Sequence, residues 1–300
     1  MSARAGSVAG AGYGAGLGGF AGLPRGGSSL QVVLNGERGG ADGPAVPMSP
    51  RDLARSASAA VAAGAGEVLV HPRTPCGRVS LSARVVGPLL AELRDAGVRV
   101  PLSVPTDADG EPDPGARIER VRSWTVLPQR ATVRFGEPGA RDVAGALLAR
   151  GIAVDAVVPL GGGAGPEPLA RFLEWAAPDR GPVRLVAQPA DAAALAGLCR
   201  LPPVRIMLFG REAAAWTVLR AAARCGADAR IGVGDVLRLP DGAPARSNAE
   251  LVAAAREEMA RAAGAAGVPS PVTGTPIAHA PGTTIAPAPA PAPTTTAGSR

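Results

Sequence analysis

Asp235 stands out first among the residues able to do chemistry. It sits in Gly226-Ala-Asp-Ala-Arg-Ile-Gly-Val-Gly-Asp-Val-Leu-Arg-Leu-Pro-Asp-Gly242, just past a short apolar run. An acid at the end of a buried strand is costly unless it is paired or used, so proton transfer is one reading and a helix N-cap or loop aspartate the other. Other polar residues recur in the same setting, immediately after an apolar run: Asn35-Gly-Glu37-Arg38, His71-Pro-Arg73, Thr106-Asp107, and Arg134 with Glu137. Arg73 suits a carboxylate clamp, because a guanidinium matches a carboxylate with two parallel hydrogen bonds, or it is a surface ion-pair residue. His71 is the one histidine of the chain's central part and reads either as a hydrogen-bonded structural residue or as a ligand. Cys76 lacks a second histidine that could serve as its base. His279 lies in a Pro/Ala/Thr-rich stretch and is set aside.

Positioning these residues requires many short strands with one loop each. Residues 1–28 are Gly/Ala-rich and read as a flexible leader, and 269–300 as a disordered or polyproline-like tail, leaving 29–268 as the folded body. Within it, strand patterns at Leu30–Leu34, Glu67–His71, Val98–Val104, Ala131–Phe135, Ala153–Val158, Val183–Ala187, Val204–Phe209 and Ala229–Val233 alternate with helix patterns. The helices fall at Pro50–Ala63, Ser80–Ala96, Gly115–Trp124, Gly139–Arg150, Glu167–Ala177, Ala190–Leu198, Arg211–Arg224 and Asn248–Ala263. Eight strand-helix units spaced by about 30 residues predict a (β/α)8 TIM barrel. An open doubly wound sheet is disfavoured because no Gly-rich phosphate fingerprint follows the first strand, and Gly161-Gly-Gly163 lacks that spacing. Function is then expected where strands end, with strands one, two and eight as neighbours bringing Asn35, Glu37, His71, Arg73 and Asp235 to one cavity. Trp124 and Trp216 fall on helix patterns and should pack outside the barrel.

Composition excludes several classes. No run of about 18 apolar residues is free of Gly, Pro or charge, and no secretory signal pattern is present, so no membrane span and a cytoplasmic location are expected. Cys76, Cys199 and Cys225 are an odd number without paired spacing, which suggests reduced thiols. The net charge of +6 comes entirely from Arg scattered among acids; the absence of Lys fits a GC-rich coding bias. With aromatics at only 3%, stacking platforms are lacking and nucleic acid is not expected as a partner.

A series of collinear motifs, from Leu34-Asn35-Gly36 through Val70-His71-Pro72-Arg73 and Arg230-Ile-Gly232 to Asn248-Ala-Glu-Leu251, resembles the β-keto acid cleavage enzymes, typified by the 3-keto-5-aminohexanoate cleavage enzyme of lysine degradation. They are Leu34-Asn35-Gly36 with Pro47-Met-Ser-Pro50, Val70-His71-Pro72-Arg73 with Gly77, Glu111-Pro-Asp-Pro114, and Val121-Arg-Ser-Trp-Thr-Val-Leu-Pro128. Phe135 with Glu137 and Gly139, Ala215-Trp216, Arg230-Ile-Gly232 with Asp235, Leu239-Pro-Asp-Gly242 and Asn248-Ala-Glu-Leu251 continue the series. The resemblance implies a (β/α)8 barrel, commonly a homo-oligomer, that cleaves a β-keto acid with acetyl-CoA as cosubstrate, giving acetoacetate and a new acyl-CoA. It also implies zinc in the mouth, held by a His-x-His on strand two and a glutamate after strand eight, with an aspartate and an arginine for proton transfer and anion stabilisation.

Residue by residue, Asp235 and Arg230 match that aspartate and arginine as catalytic residues, and His71 matches the second histidine. Leu69 stands at the first histidine and Gly234 at the glutamate. The strand-three Ser-Thr-Gly reads Pro105-Thr106-Asp107 here, and the strand-four Asn-Phe reads Arg134-Phe135. Glu37, Asp235 or Cys76 are the residues that could replace the missing ligands, or Arg134 could replace the metal as electrophile. Asn35, Glu37, Arg73, Thr106 and Arg134 are the expected substrate contacts. Two further readings are a barrel that binds a keto acid or acyl-CoA as a sensor or partner subunit without turnover, and a scaffold acting through its Pro-rich tail.

Overall fold

The computed structural model describes residues 28–161, 163, 165–175, 182–191, 194–195, 198 and 205–265. Apart from Ser28, the leader and the tail expected from the sequence lie outside these residues, as do residues 192, 193, 196 and 197 of the helix expected at Ala190–Leu198. Eight parallel strands close into a barrel in sequence order: β1 (Leu30–Val33), β2 (Glu67–Leu69), β3 (Leu102–Pro105), β4 (Arg130–Arg134), β5 (Ala153–Leu160), β6 (Val183–Pro189), β7 (Ile206–Leu208) and β8 (Asp228–Ile231). Closure is made by β1 on β8, with Gln31 opposite Arg230. Seven helices are described: α1 (Pro50–Ala62), α2 (Ala83–Asp95), α3 (Pro114–Ser123), α4 (Ala140–Leu148), α5 (Glu167–Trp175), α6 (Ala215–Cys225) and α7 (Asn248–Ala265). The fold is the TIM barrel that the alternating pattern predicts.

Local chemistry explains the boundaries. Ser49 caps α1 through its hydroxyl and Asp113 caps α3 through its carboxylate, each followed by a proline at the first helical position. Gly226 ends α6 in a left-handed conformation. Strand three starts at Leu102 and not at Val98, because Pro101 has no N–H for the ladder. The helix expected from Arg211 begins as a 3-10 turn over Glu212–Ala214, so α6 starts only at Ala215. Among the described residues, no helix is long and apolar enough to cross a membrane.

Because strand side chains alternate, one set packs outward and the other fills the lumen. Val32, Val68, Val104, Val154, Leu185, Leu208 and Ile231 join the helices in one continuous core. Trp124 and Trp216 pack there too, donating their indole N–H to the carbonyls of Leu81 (2.8 Å) and Arg238 (2.9 Å). Inside the barrel, Val186, Met207 and Phe209 form a separate apolar layer with Val157.

The lumen floor is ionic. Arg184 is 1% exposed and donates to both oxygens of Glu67 (2.9 and 2.7 Å), both oxygens of Asp155 (2.9 Å each) and Oδ2 of Asp228 (3.1 Å). Arg130 supports Asp155 and Arg205 supports Asp228, so three carboxylates meet three guanidinium groups. A buried charge is tolerable only when paired in this way. This cluster joins residues near the starts of β2, β5, β6 and β8, whereas the cavity lies at the C-terminal mouth.

Candidate active site

The mouth holds a cavity of about 390 Å³ to which every strand or the loop after it contributes. Val33, Gly36 and Glu37 come from β1 and its loop, Leu69 and His71 from β2, Asp107 from the loop after β3, and Thr132 and Arg134 from β4. Val157, Pro159, Gln188, Phe209, Arg211, Arg230, Gly234 and Asp235 complete the wall. Three guanidinium groups and three carboxylates therefore face one small space.

Asp235 and Arg230 form a two-point pair. Arg230 Nε donates to Oδ2 at 3.0 Å and Nη2 to Oδ1 at 2.8 Å. The guanidinium carbon lies 3.5 Å above the centre of the Phe209 ring, and the ring face adds a cation–π attraction. Arg230 is thus held on two sides, while its Nη1 has no hydrogen-bond partner among the described residues.

Glu37, in the loop after β1, accepts from Arg134 (2.6 Å) and from both terminal nitrogens of Arg211 (3.1 and 3.3 Å). Hydrogen bonding from Arg211, with the charges of Arg211 and Arg134, outweighs burial and holds the Glu37 carboxyl down at about 2. Arg134 also approaches Asp107 (3.2 Å) and Asp109 (3.2 Å). Asp107 is 3% exposed, its Oδ1 has no partner, and burial pushes its carboxyl up to about 6.

His71 is neutral. Burial, then the charges of Arg230, Arg73 and Arg134, pull its imidazole down to about 3, and its buried Nδ1 has no partner. Its backbone is fixed by Asn35, whose side-chain oxygen accepts from His71 N and whose amide donates to His71 O, both at 3.0 Å.

Three of the expected substrate contacts hold loops instead of lining the cavity. Asn35 is spent on the His71 backbone. Arg73 donates to the carbonyls of Gly77 (2.6 Å), Gly36 (2.9 Å) and Arg38 (2.8 Å), which ties the loops after β1 and β2 together. Thr106 donates its hydroxyl to Thr132 O at 2.8 Å. Glu37, Arg134, Arg230, Asp235 and His71 do reach the cavity wall. Arg211 opens the helix pattern Arg211–Arg224, Phe209 closes the strand pattern Val204–Phe209, and Gln188 lies one residue past the strand pattern Val183–Ala187. The signal that could have found them is position alone, within about two residues of a strand end.

The residues do not fit zinc. Leu69 and His71 both face the cavity, as their spacing of two predicts, but Leu69 offers no donor. Gly234 is no vacancy that a carboxylate could fill. A Cβ there would lie 2.7 Å from Val33 Cγ2 and 2.8 Å from Gly36 N, since the loops after β8 and β1 touch backbone to backbone. The replacement donors are also occupied: Asp235 by Arg230, Glu37 by two arginines, and exposed Cys76 by the Thr74 hydroxyl at 3.0 Å. Among the described residues no group of three His, Cys, Asp or Glu could hold a metal ion.

Solved structures share the barrel. Type I 3-dehydroquinate dehydratase from Clostridium difficile, solved with covalently modified comenic acid, is 12% identical at TM-score 0.52, over 80% of this chain and 95% of that one. The 3-dehydroquinate dehydratase from Geobacillus kaustophilus is 12% identical at TM-score 0.52, over 81% and 93%. ObcA, in a ternary complex with a C4-CoA adduct and oxalate, is 16% identical at TM-score 0.55, over 73% of this chain and 64% of its own. These likenesses establish the fold. No curated protein matches the sequence. The family model of the beta-keto acid cleavage enzymes matches residues 29–147 and 183–268, which include every cavity residue outside β5. The chain belongs to the β-keto acid cleavage enzyme family.

Proposed function

We propose that the mouth binds a small 3-keto carboxylate and exchanges its acyl end with acetyl-CoA, with fixed guanidinium groups doing what a metal does elsewhere in the family. In the balanced reaction a 3-keto acid and acetyl-CoA give acetoacetate and a new acyl-CoA. One C–C bond and one C–S bond break, and one of each forms. Negative charge builds on the C3 oxygen when C2 loses its proton. Preorganised donors stabilise such charge most when they need not reorganise, and removing one costs roughly 10²–10³ in turnover. The observation that carries the reading is Arg230: Asp235 and Phe209 hold it on two sides, and Nη1 has no hydrogen-bond partner among the described residues. Arg134 and Arg211 add positive charge for the substrate carboxylate, with Glu37 as the partner that a ligand displaces or shares. The volume suits a small keto acid and not a whole CoA, so only the thioester end would enter. ObcA, solved with oxaloacetate and with a C4-CoA adduct, carries ligands of these two classes on a similar barrel.

Release of acetoacetate from a 3-keto acid and acetyl-CoA, followed by a coupled dehydrogenase, tests the reading. Turnover is expected, and Arg230→Met should lower it about 10²–10³-fold. Full turnover in that variant would contradict the role given to Arg230. A second reading, binding without turnover, is favoured by the engagement of both Asp235 oxygens. Its signature is measurable keto-acid binding with no acetoacetate released.

A further inference from the structure

Of the three carboxylates in the mouth, one keeps an oxygen to spare. Asp235 spends both oxygens on Arg230. Glu37 accepts from Arg134 and Arg211 on Oε1 and from Arg211 on Oε2. Asp107 lies against Arg134 through Oδ2, while its buried Oδ1 has no hydrogen-bond partner among the described residues. Leaving a buried acceptor without a donor costs about 1–3 kcal/mol, and Asp107 is one of the residues that line the cavity, so a ligand that brings a hydrogen to this carboxylate would relieve the deficit. We propose that Asp107 is the proton acceptor of this site, taking a proton from C2 of the bound 3-keto acid onto Oδ1. This rests on the reading above that the cavity holds such an acid.

The step balances. The C2–H bond breaks, its electron pair moves into C2–C3, and the carbonyl π pair moves onto the C3 oxygen. The proton stays on Asp107 and returns to the carbon of the departing acetoacetate enolate, so the residue ends as it began. The carboxyl is in the right state for both halves. Burial raises it, Arg134 from β4 opposes, and Asp109, Glu137 and Glu37 add to the rise, leaving it at about 6. At pH 7 it is mostly ionised, yet its conjugate acid is strong enough to give the proton back. Glu37 at about 2 and His71 at about 3 are poor bases by comparison. Asp235 then serves as a positioning residue for Arg230.

Hydrogen exchange at C2 of acetoacetate in D2O, followed by proton NMR, separates this step from turnover. The wild-type chain should accelerate exchange above the buffer rate, with an acidic limb near 6. Asp107→Asn should lower the acceleration about 10²–10⁴-fold while calorimetry still shows acetoacetate binding. Asp107→Glu, which restores a carboxyl, should recover part of the rate. Exchange at the wild-type rate in Asp107→Asn overturns the assignment. So does a wild-type chain that binds acetoacetate without exchanging it. If the wild-type chain does not bind acetoacetate at all, the functional reading fails and this assignment fails with it.

Discussion

Rebuilding the family's zinc ligands in this barrel should fail, for a steric reason that can be sized. Leu69→His with Gly234→Glu would restore the missing imidazole and carboxylate beside His71. The first change replaces one cavity-facing side chain by another of similar bulk. The second inserts a Cβ 2.7 Å from Val33 Cγ2, 2.8 Å from Gly36 N and 3.0 Å from Gly36 Cα, where ordinary contact begins near 3.4 Å. Two of the three obstacles are backbone, so relief requires the loops after β1 and β8 to part by roughly 0.6 Å. Overpacking of this kind costs about 1–3 kcal/mol. For a barrel of this size each kcal/mol lowers the melting temperature by about 2–4 °C, so the middle of the range corresponds to roughly 4–8 °C. Melting followed by circular dichroism in chelator isolates that cost. Zinc content after dialysis against zinc then reports whether a site has formed. Leu69→His alone should melt within about 2 °C of the parent, and neither variant should retain one zinc per chain. A double variant as stable as its parent and holding stoichiometric zinc would refute the steric argument and reopen the metal reading.

The remaining predictions concern the floor and the imidazole. Arg184→Met leaves Glu67, Asp155 and Asp228 with Arg130 and Arg205 as their remaining guanidinium partners among the described residues and should cost about 3–5 kcal/mol at neutral pH. In the parent, burial works against Asp155, but Arg184 and Arg130 hold its carboxyl below the ordinary value. That stabilisation is present above the unfolded value and lost as pH falls through the folded one. In the variant the unpaired acids take up protons more readily, so urea unfolding at pH 7 and pH 5 should show the deficit shrinking at the lower pH; a constant deficit, or one below about 1 kcal/mol, would contradict the pairing. His71 should remain uncharged from neutral pH down to about 3, seen by NMR of the imidazole nitrogens. Since the folded state refuses a proton that the unfolded chain accepts, His71 subtracts stability as pH falls from about 6.5 towards 3; a midpoint above 5 would show the ring is not enclosed as described.

Much of the architecture was legible because burial on both faces turns strands into short Val/Leu/Ile runs, and helices between them carry a different period. The strand ends were found the same way, and with them Glu37, His71, Arg134 and Asp235. Direction was harder. Arg184 sits inside the apolar-looking Val183–Ala187, and nothing in that run tells that its side chain enters the lumen to meet acids from β2, β5 and β8. Asn35, Arg73 and Thr106 lie at or beyond strand ends, where no period sets their aim, and loop carbonyls or backbone groups claim them. Arg211 was read as the first residue of a helix. The tight turn at Gly210, where a Cβ would meet Ala214 O at 2.5 Å, delays that helix and leaves Arg211 at the mouth. Gly234 was legible as a departure from the family pattern, but the reason it must be glycine is a contact with Gly36, some 200 residues away in sequence.

In the proposed function guanidinium groups, not a metal, serve this mouth. Acetoacetate release measured before and after exhaustive chelation tests it most directly. The same rate within about twofold, and no gain on adding zinc, is the expected result. Activity that disappears with chelation and returns with zinc would contradict it.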